Sequence, residues 1–468
     1  MAGQVAHADA AREHIADEPA RGRLLLFATV SIALFMVSVD QTIVATALPS
    51  IQRDLHSQVN WSSWTITVYA LGQVLVMPLA GKFGDQYGRK KIFLGAVVLF
   101  TAASLACGLA NNIYLLIVLR AIQALGGGAF MPSATGIIAD RFGAGRDRAL
   151  GLFSSVFPMG GIVGPVLGGV FVTYWSWRGI FLVNIPVGLM LLALGTVVIP
   201  HIPRRRDPHL DIRGVMLLGA TLLSAMLGIG YLGGSRSDPL SWFFLLPMGI
   251  ALAAGTAFVR HSARAESPFV SLRFLTGRGF GVMNLLNFLY GSVLLGFGPL
   301  VPLYAETRFH LGALPAGTLL TARAVGMISV AAVSVWMLRR TGYRWPIAVG
   351  FVLGVVGLVG TSASPHGLTP YAWLAVAAAV AGVGMGVATP AANNATLELA
   401  PDQAAAVAGL RGMFRQSGGI SAISISAAIV ARSADPGIAQ AHIFLVFATI
   451  LFCSLPLVLL VPEHRGRW

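Results

Sequence analysis

Fourteen apolar runs, most of them near the ~20 residues a helix needs to cross a bilayer, follow one another along this chain of 468 residues. They lie near 24–48, 61–80, 92–109, 113–138, 150–174, 179–199, 213–232, 241–260, 279–304, 315–337, 345–361, 371–390, 407–431 and 441–461. Only 11% of the residues are charged, against about 25% in a soluble domain. The pattern predicts an all-α membrane protein, because a helix closes its backbone hydrogen bonds internally, as hydrocarbon demands. The 55 glycines suit close helix packing inside a bundle. Residues 1–23 are polar and the first run is longer than a signal-peptide core, so no removable leader is expected.

Charge gives the expected orientation. With the N-terminus inside, 25 of the 32 Lys and Arg fall on the inner segments and five on the outer loops. That asymmetry predicts both termini in the cytoplasm. The net charge of +14 is then a topology and anionic-lipid signal rather than a nucleic-acid footprint. Two cysteines, Cys107 and Cys453, both inside runs, imply neither a disulfide framework nor a metal site. No nucleotide loop or nucleophile elbow appears, so neither an enzyme nor a cofactor is expected.

A shift of 258 residues superimposes Gly126, Gly128 and Pro132 on Gly384, Gly386 and Pro390. It also places Asp140 on Glu398, Gly151 on Gly409, and Gly160–Gly161 on Gly418–Gly419. Runs four and five thus repeat as twelve and thirteen. The economical division is a tail (1–23), a six-helix bundle (24–199), two inserted helices (200–278), a second six-helix bundle (279–461) and a tail (462–468). Parallel repeats of this kind mark transporters whose halves rock about a midplane site.

Asp40 is the one acid deep in the first run. A carboxylate there costs roughly 2.5–3.5 kcal/mol on insertion scales, so it needs a partner or a task. At 1.5 Å per residue, Asp40, Arg120 and Arg323 all fall in the outer half of the membrane. An Asp40–Arg120 couple is therefore expected, either as a proton site or as a static ion pair. An Asp40→Asn exchange, nearly isosteric, is expected to remove proton release while sparing the fold.

The loop after run two reads Gly81-Lys-Phe-Gly84-Asp85-Gln-Tyr-Gly88-Arg89-Lys-Lys. It resembles the signature of the major facilitator superfamily. Asp40-Gln-Thr-Ile-Val-Ala-Thr-Ala-Leu-Pro49, Arg120-Ala-Ile-Gln123 and Gly160-Gly-Ile-Val-Gly164-Pro165-Val-Leu-Gly168-Gly169 are similar to motifs of its fourteen-span drug/proton antiporter branch. So are Trp175 to Pro186, Val301 to Tyr304 and Arg415 to Gly419. Ala45 and Ala124 depart from the asparagine and glycine customary there. The resemblance implies the major facilitator fold and export of a small amphipathic molecule, such as an antibiotic or toxic metabolite, against protons. A lipid or siderophore-precursor exporter on the same fold, or a non-transporting membrane scaffold, is the alternative.

Within that reading Asp40 and Arg120 couple protons. Gln41, Gln73, Gln123, Asn284, Asn287 and Arg323 are candidates for the substrate cavity, with helix–helix hydrogen bonding the equal alternative for the two asparagines; Tyr69 and Tyr290 join them only weakly, since an aromatic near a span end is usually an interface anchor. Gly81, Gly84, Asp85, Gly88, Arg89 and Arg415 belong to a conformational lock. Gly160, Gly164, Gly168 and Gly169 bare one helix face, which Pro165 bends, and this face is expected to seal against the other half. Arg323 lacks a nearby acid, which predicts neutral, zwitterionic or weakly acidic substrates. A monomer in a bacterial plasma membrane, contacting lipid, is expected.

Overall fold

The computed structural model describes residues 20–57, 59–200, 211–232, 237–266, 268–277, 279–365 and 367–462. Most of both expected tails and part of the 200–278 connection therefore lie outside the described residues. Spans one to four are the helices Ala20–Asp54, Val59–Tyr87, Arg89–Gly108 and Ile113–Arg141. Span five is Arg146–Ser154 continued by Val156–Tyr174, and span six is Gly179–Leu182 continued by Asn184–Val198. Spans seven and eight are Ile212–Leu232 and Trp242–Arg264. Spans nine to fourteen are Phe280–Phe309, Ala313–Thr341, Arg344–Ser362, Pro370–Glu398, Ala404–Arg432 and Pro436–Val458. A short helix, Leu272–Thr276, leads into span nine.

Thirteen of the described helices are long and apolar enough to cross a membrane. Span thirteen is as long as its neighbours at 29 residues, but Arg411, Arg415 and its serines lower its hydropathy. It is nonetheless packed into the bundle against spans two, four and nine. The local rules that start these helices are visible. Asn112, Thr369 and Asp435 cap spans four, twelve and fourteen by accepting from Leu115, Ala372 and Ile438 N–H. Pro370 and Pro436 occupy first-turn positions, where a missing N–H costs nothing. Gly88, at φ 101°, makes the tight link between spans two and three, a conformation few other residues tolerate.

The repeat has a packing basis. Gly126 of span four abuts Ala96 and Phe100 of span three, and Gly384 of span twelve abuts Gly350 and Gly354 of span eleven. Gly128 meets Gln73 and Val76 of span two, whereas Gly386 meets Met327 and Val330 of span ten. In each case a Cβ would collide with the neighbouring helix, so the glycines set the distance of closest approach. Spans seven and eight pack on each other, and span seven rests on spans two and thirteen.

The halves meet from mid-membrane to the end that carries the Gly81–Lys91 loop, here called the basic end. Gly81 and Gly136 press on Ala405, and Met77 presses on Gly409 and Gly412. Asn394 donates to the Asp147 carbonyl across the seam at 3.1 Å. The structure is thus closed at the basic end.

Candidate functional site

Asp40 is fully buried and three donors meet its two oxygens. Its Oδ2 accepts from Arg120 Nη1 at 2.7 Å. Its Oδ1 accepts from Gln123 Nε2 at 3.1 Å and from Asn184 Nδ2 at 3.1 Å. Arg120 is 1% exposed and also donates to Gln123 Oε1 at 2.8 Å and to the Thr65 carbonyl at 3.3 Å. Its guanidinium carbon stands 3.9 Å from the Tyr69 ring centroid, within cation–π range. Asn184 is itself fixed by donating to Ser104 Oγ at 3.0 Å. Spans one, two, three, four and six each contribute, so the site is enclosed by the first half alone. A buried pair needs its remaining lone pairs and protons matched, and here Asp40 accepts three bonds and Arg120 donates three.

This geometry corrects several sequence expectations. Gln123 belongs to the ion-pair network rather than to a substrate cavity. Asn284 donates to the Phe274 and Leu275 carbonyls, anchoring the short helix at the basic end, and so does not line a cavity. Asn287 donates to the Met283 carbonyl and to Thr396 Oγ1, which is helix-to-helix bonding. An Asp40→Asn exchange would leave Arg120 facing an amide in place of its carboxylate. Tyr69 and Tyr290 are buried rather than interface anchors. Asn184 was missed as an Asp40 partner, although its place in the Trp175–Pro186 motif was a signal.

Gln73 sits at the centre of span two and bridges the halves. Its Oε1 accepts from Gln41 at 3.4 Å and from Gln416 of span thirteen at 3.1 Å. Nearby, Tyr290 bonds Thr389 Oγ1 at 2.7 Å and the Met385 carbonyl. Arg323 is half-buried and donates to the Leu294 carbonyl at 3.2 Å. Arg415 reaches only Met131 Sδ, at 3.8 Å.

At the basic end Arg89 bridges two acids, Asp85 at 3.0 Å and Asp140 at 2.5 Å, and also donates to the Gly136 carbonyl. Gly81 has no room for a side chain, while Gly84 has only the Arg89 stem nearby. The glycine motif of span five divides differently from expectation. A Cβ at Gly160, Gly164 or Gly168 would strike Ser38, Thr42 or Thr46 of span one, whereas Gly161 and Gly169 face open space. Thr42 Oγ1 donates to the Gly160 carbonyl at 3.1 Å. The bared face, with Pro165 at its middle, therefore seals span five to span one inside the first half, not across the two halves. The reason is that the small hydroxyl residues at 38, 42 and 46 form a complementary stripe at helical spacing.

Two acids beyond the membrane-crossing segments, Asp54 past Leu48 and Asp211 before Ile212, have perturbed titration. The Trp177 indole N–H and Arg178 hold Asp54 below the usual carboxylate range. Burial pushes Asp211 up, but the N–H groups of Gly214 and Phe269 and the His261 ring outweigh it and bring the carboxyl below its ordinary value. Asp211 thereby ties span seven, span eight and the segment entering span nine together.

Comparison with known proteins matches this arrangement. The profile of the Major Facilitator Superfamily matches residues 30–423, with a second match over 283–467. The multidrug transporter protein MdtP of Bacillus subtilis is 28% identical over 88% of this chain and 76% of its own length. The cephamycin export protein CmcT of Amycolatopsis lactamdurans is 31% identical over 92% of this chain and 90% of its own. Among solved structures, the human organic anion transporter MFSD10 superimposes with a TM-score of 0.70 at 15% identity, covering 94% of this chain and all (100%) of that one, which speaks for the fold alone. The profile match over most of the chain and relatives of this similarity make the chain a member of the Major Facilitator Superfamily, of its multidrug and antibiotic efflux type.

Proposed function

We propose that the protein is a proton-driven antiporter that expels small amphipathic compounds, antibiotics or toxic metabolites among them, across a bacterial plasma membrane. In this reading the basic end faces the cytoplasm and both termini lie there, as the charge asymmetry favours. The observation that carries it is the enclosed Asp40–Arg120–Gln123–Asn184 network. A proton arriving on Asp40 removes the negative charge that holds Arg120, so binding a proton loosens Arg120 from span one.

The route from that event to the seam is a single helix. Arg120 stands near one end of span four, and Met131 and Gly136 of the same helix touch Arg415 and Ala405 of the other half. Loosening Arg120 frees span four to shift, and the contacts at Gly136, Arg89 and Ala405 are those that close the basic end. Span one, which carries Asp40, is fastened to span five through the Gly160, Gly164 and Gly168 stripe, so the two move together. Substrate enters the seam beside Gln41, Gln73 and Gln416 when the basic end opens. One proton moving down 100 mV supplies about 2.3 kcal/mol, enough for a roughly fiftyfold gradient of a neutral solute.

The test is reconstitution of the purified protein in vesicles holding a pH gradient and a pH-sensitive dye. Added substrate should collapse the gradient, and Asp40→Asn should not. Compound movement that is indifferent to the gradient would refute proton coupling. No movement of any compound would refute transport itself.

A further inference from the structure

The second half carries three arginines within its spans that meet no carboxylate among the described residues. Among the described acids only Asp40 lies deep inside a span, and its oxygens accept from first-half donors. Arg411 is 3% exposed, and its Nε and Nη1 have no hydrogen-bond partner among the described residues. Arg415, one turn further, has a thioether for its contact. Arg323 has one backbone carbonyl, against the five N–H donors a guanidinium offers. A buried cation without an anion costs several kcal/mol; Arg411 is buried so, and Arg415 and Arg323 are half-buried, so the arrangement asks for a visiting counter-charge.

The internal repeat shows that these cations are not shared scaffold. At the 258-residue shift Arg411 and Arg415 fall on Phe153 and Phe157. For spans nine to eleven the register is 254, as Gly350 and Gly354 against Ala96 and Phe100 show. In that register Leu294 stands where the first half has Asp40, and Arg323 where it has Tyr69. The first half pairs its guanidinium with a built-in acid. The second half places a guanidinium at the related locus and leaves the acid out.

Height along the helices orders the three. Counted from the basic end of their spans, Arg411, Arg415 and Arg323 stand about 10, 16 and 27 Å along. Tyr290, about 15 Å along span nine, stands level with Arg415, whose backbone packs on the adjoining Gly291. We propose that Arg411, Arg415 and Arg323 form a rising row of anion subsites in the second half, and that the exported compounds are amphipathic acids carrying a carboxylate or a comparable oxyanion. This deepens the efflux reading and rests on it for direction, but not for binding. Arg411, sealed beneath the closed basic end, meets the acid first when that end opens. Arg415 and Arg323 then receive it in turn as the seam changes over.

A matched series tests the assignment: 2-naphthoxyacetate, its methyl ester and 2-naphthoxyethylamine share one aromatic body and differ in charge. Calorimetric titration of the purified protein in detergent should show the acid bound at least about tenfold more tightly than the ester or amine, the scale of one charged hydrogen bond. Arg411→Gln and Arg415→Gln should each weaken the acid about tenfold and leave the ester unchanged, while Arg415→Lys recovers part of the loss. Removing an unpaired buried cation should also hold or raise the melting temperature, so loss through misfolding would be seen. Should Arg411→Gln not fold, Arg415→Lys and Arg323→Gln carry the same comparison. Equal or tighter binding of the amine, or acid affinity unchanged in all the variants, overturns the proposal. Acid that is bound through these arginines yet not moved in vesicles sustains the subsites and overturns the efflux reading instead.

Discussion

Replacing Asp40 by Asn separates the structural duty of this residue from its proposed proton duty. Three donors face the two Asp40 oxygens, from Arg120, Gln123 and Asn184. An amide keeps one acceptor atom and turns the other into a donor, so whichever way it sits, an N–H opposes an N–H. Arg120 is left as a buried cation held by Gln123 and a backbone carbonyl. Removing one partner of a buried pair in this way costs about 3–5 kcal/mol. A second exchange, Arg120→Gln, discharges the stranded cation, and the double variant Asp40→Asn/Arg120→Gln should recover about 2 kcal/mol or more as a coupling term. Unfolding of the four proteins in one detergent measures the cycle, and the vesicle pH assay measures coupling. Asp40→Asn within about 0.5 kcal/mol of the parent would show that Arg120 has other means of balancing its charge, and the enclosed-network argument would fail. Proton-coupled export regained by the double variant would show that Asp40 is not the carrier.

Three further outcomes follow from the packing and the titration. Gly164→Ala places a Cβ 2.0 Å from Thr42 Oγ1, so it should destabilise by about 1–3 kcal/mol and impair export, while Gly169→Ala should be neutral in both expression and transport; equal effects at the two sites would deny the span one–span five seam. Arg89→Gln leaves Asp85 and Asp140 facing each other without their shared cation, and should increase reaction of a cysteine placed at Ala405 with a thiol reagent, because the basic end opens more often; unchanged labelling would show that Arg89 does not hold the closure. Asp211 contributes stability above its unfolded pKa of about 3.9, since its folded value is depressed, and that contribution is lost as pH falls through the folded value. Asp211→Asn should therefore lower the melting temperature at pH 7 and flatten its fall between about pH 4 and 2; an acid profile identical to the parent's would remove Asp211 as a clamp.

What the amino-acid sequence determined by itself is what lipid enforces. The runs could only become helices, and the seven-point repeat returned as two halves with glycines at matching approaches. Asp40 and Arg120, each too costly to bury alone, stood at similar depth and found one another. What hydropathy left open is rotation about the helix axis. In water an amphipathic stripe fixes which face turns inward, but in a bilayer both the lipid side and the packed side are apolar, so that stripe is nearly erased. Tertiary packing alone therefore turned Gly160, Gly164 and Gly168 toward span one rather than toward the other half. It sent Asn284 and Asn287 to backbone and helix partners instead of a cavity, and brought Asn184 and Gln123 onto Asp40. It likewise turned Arg411 inward, where no described residue supplies its anion.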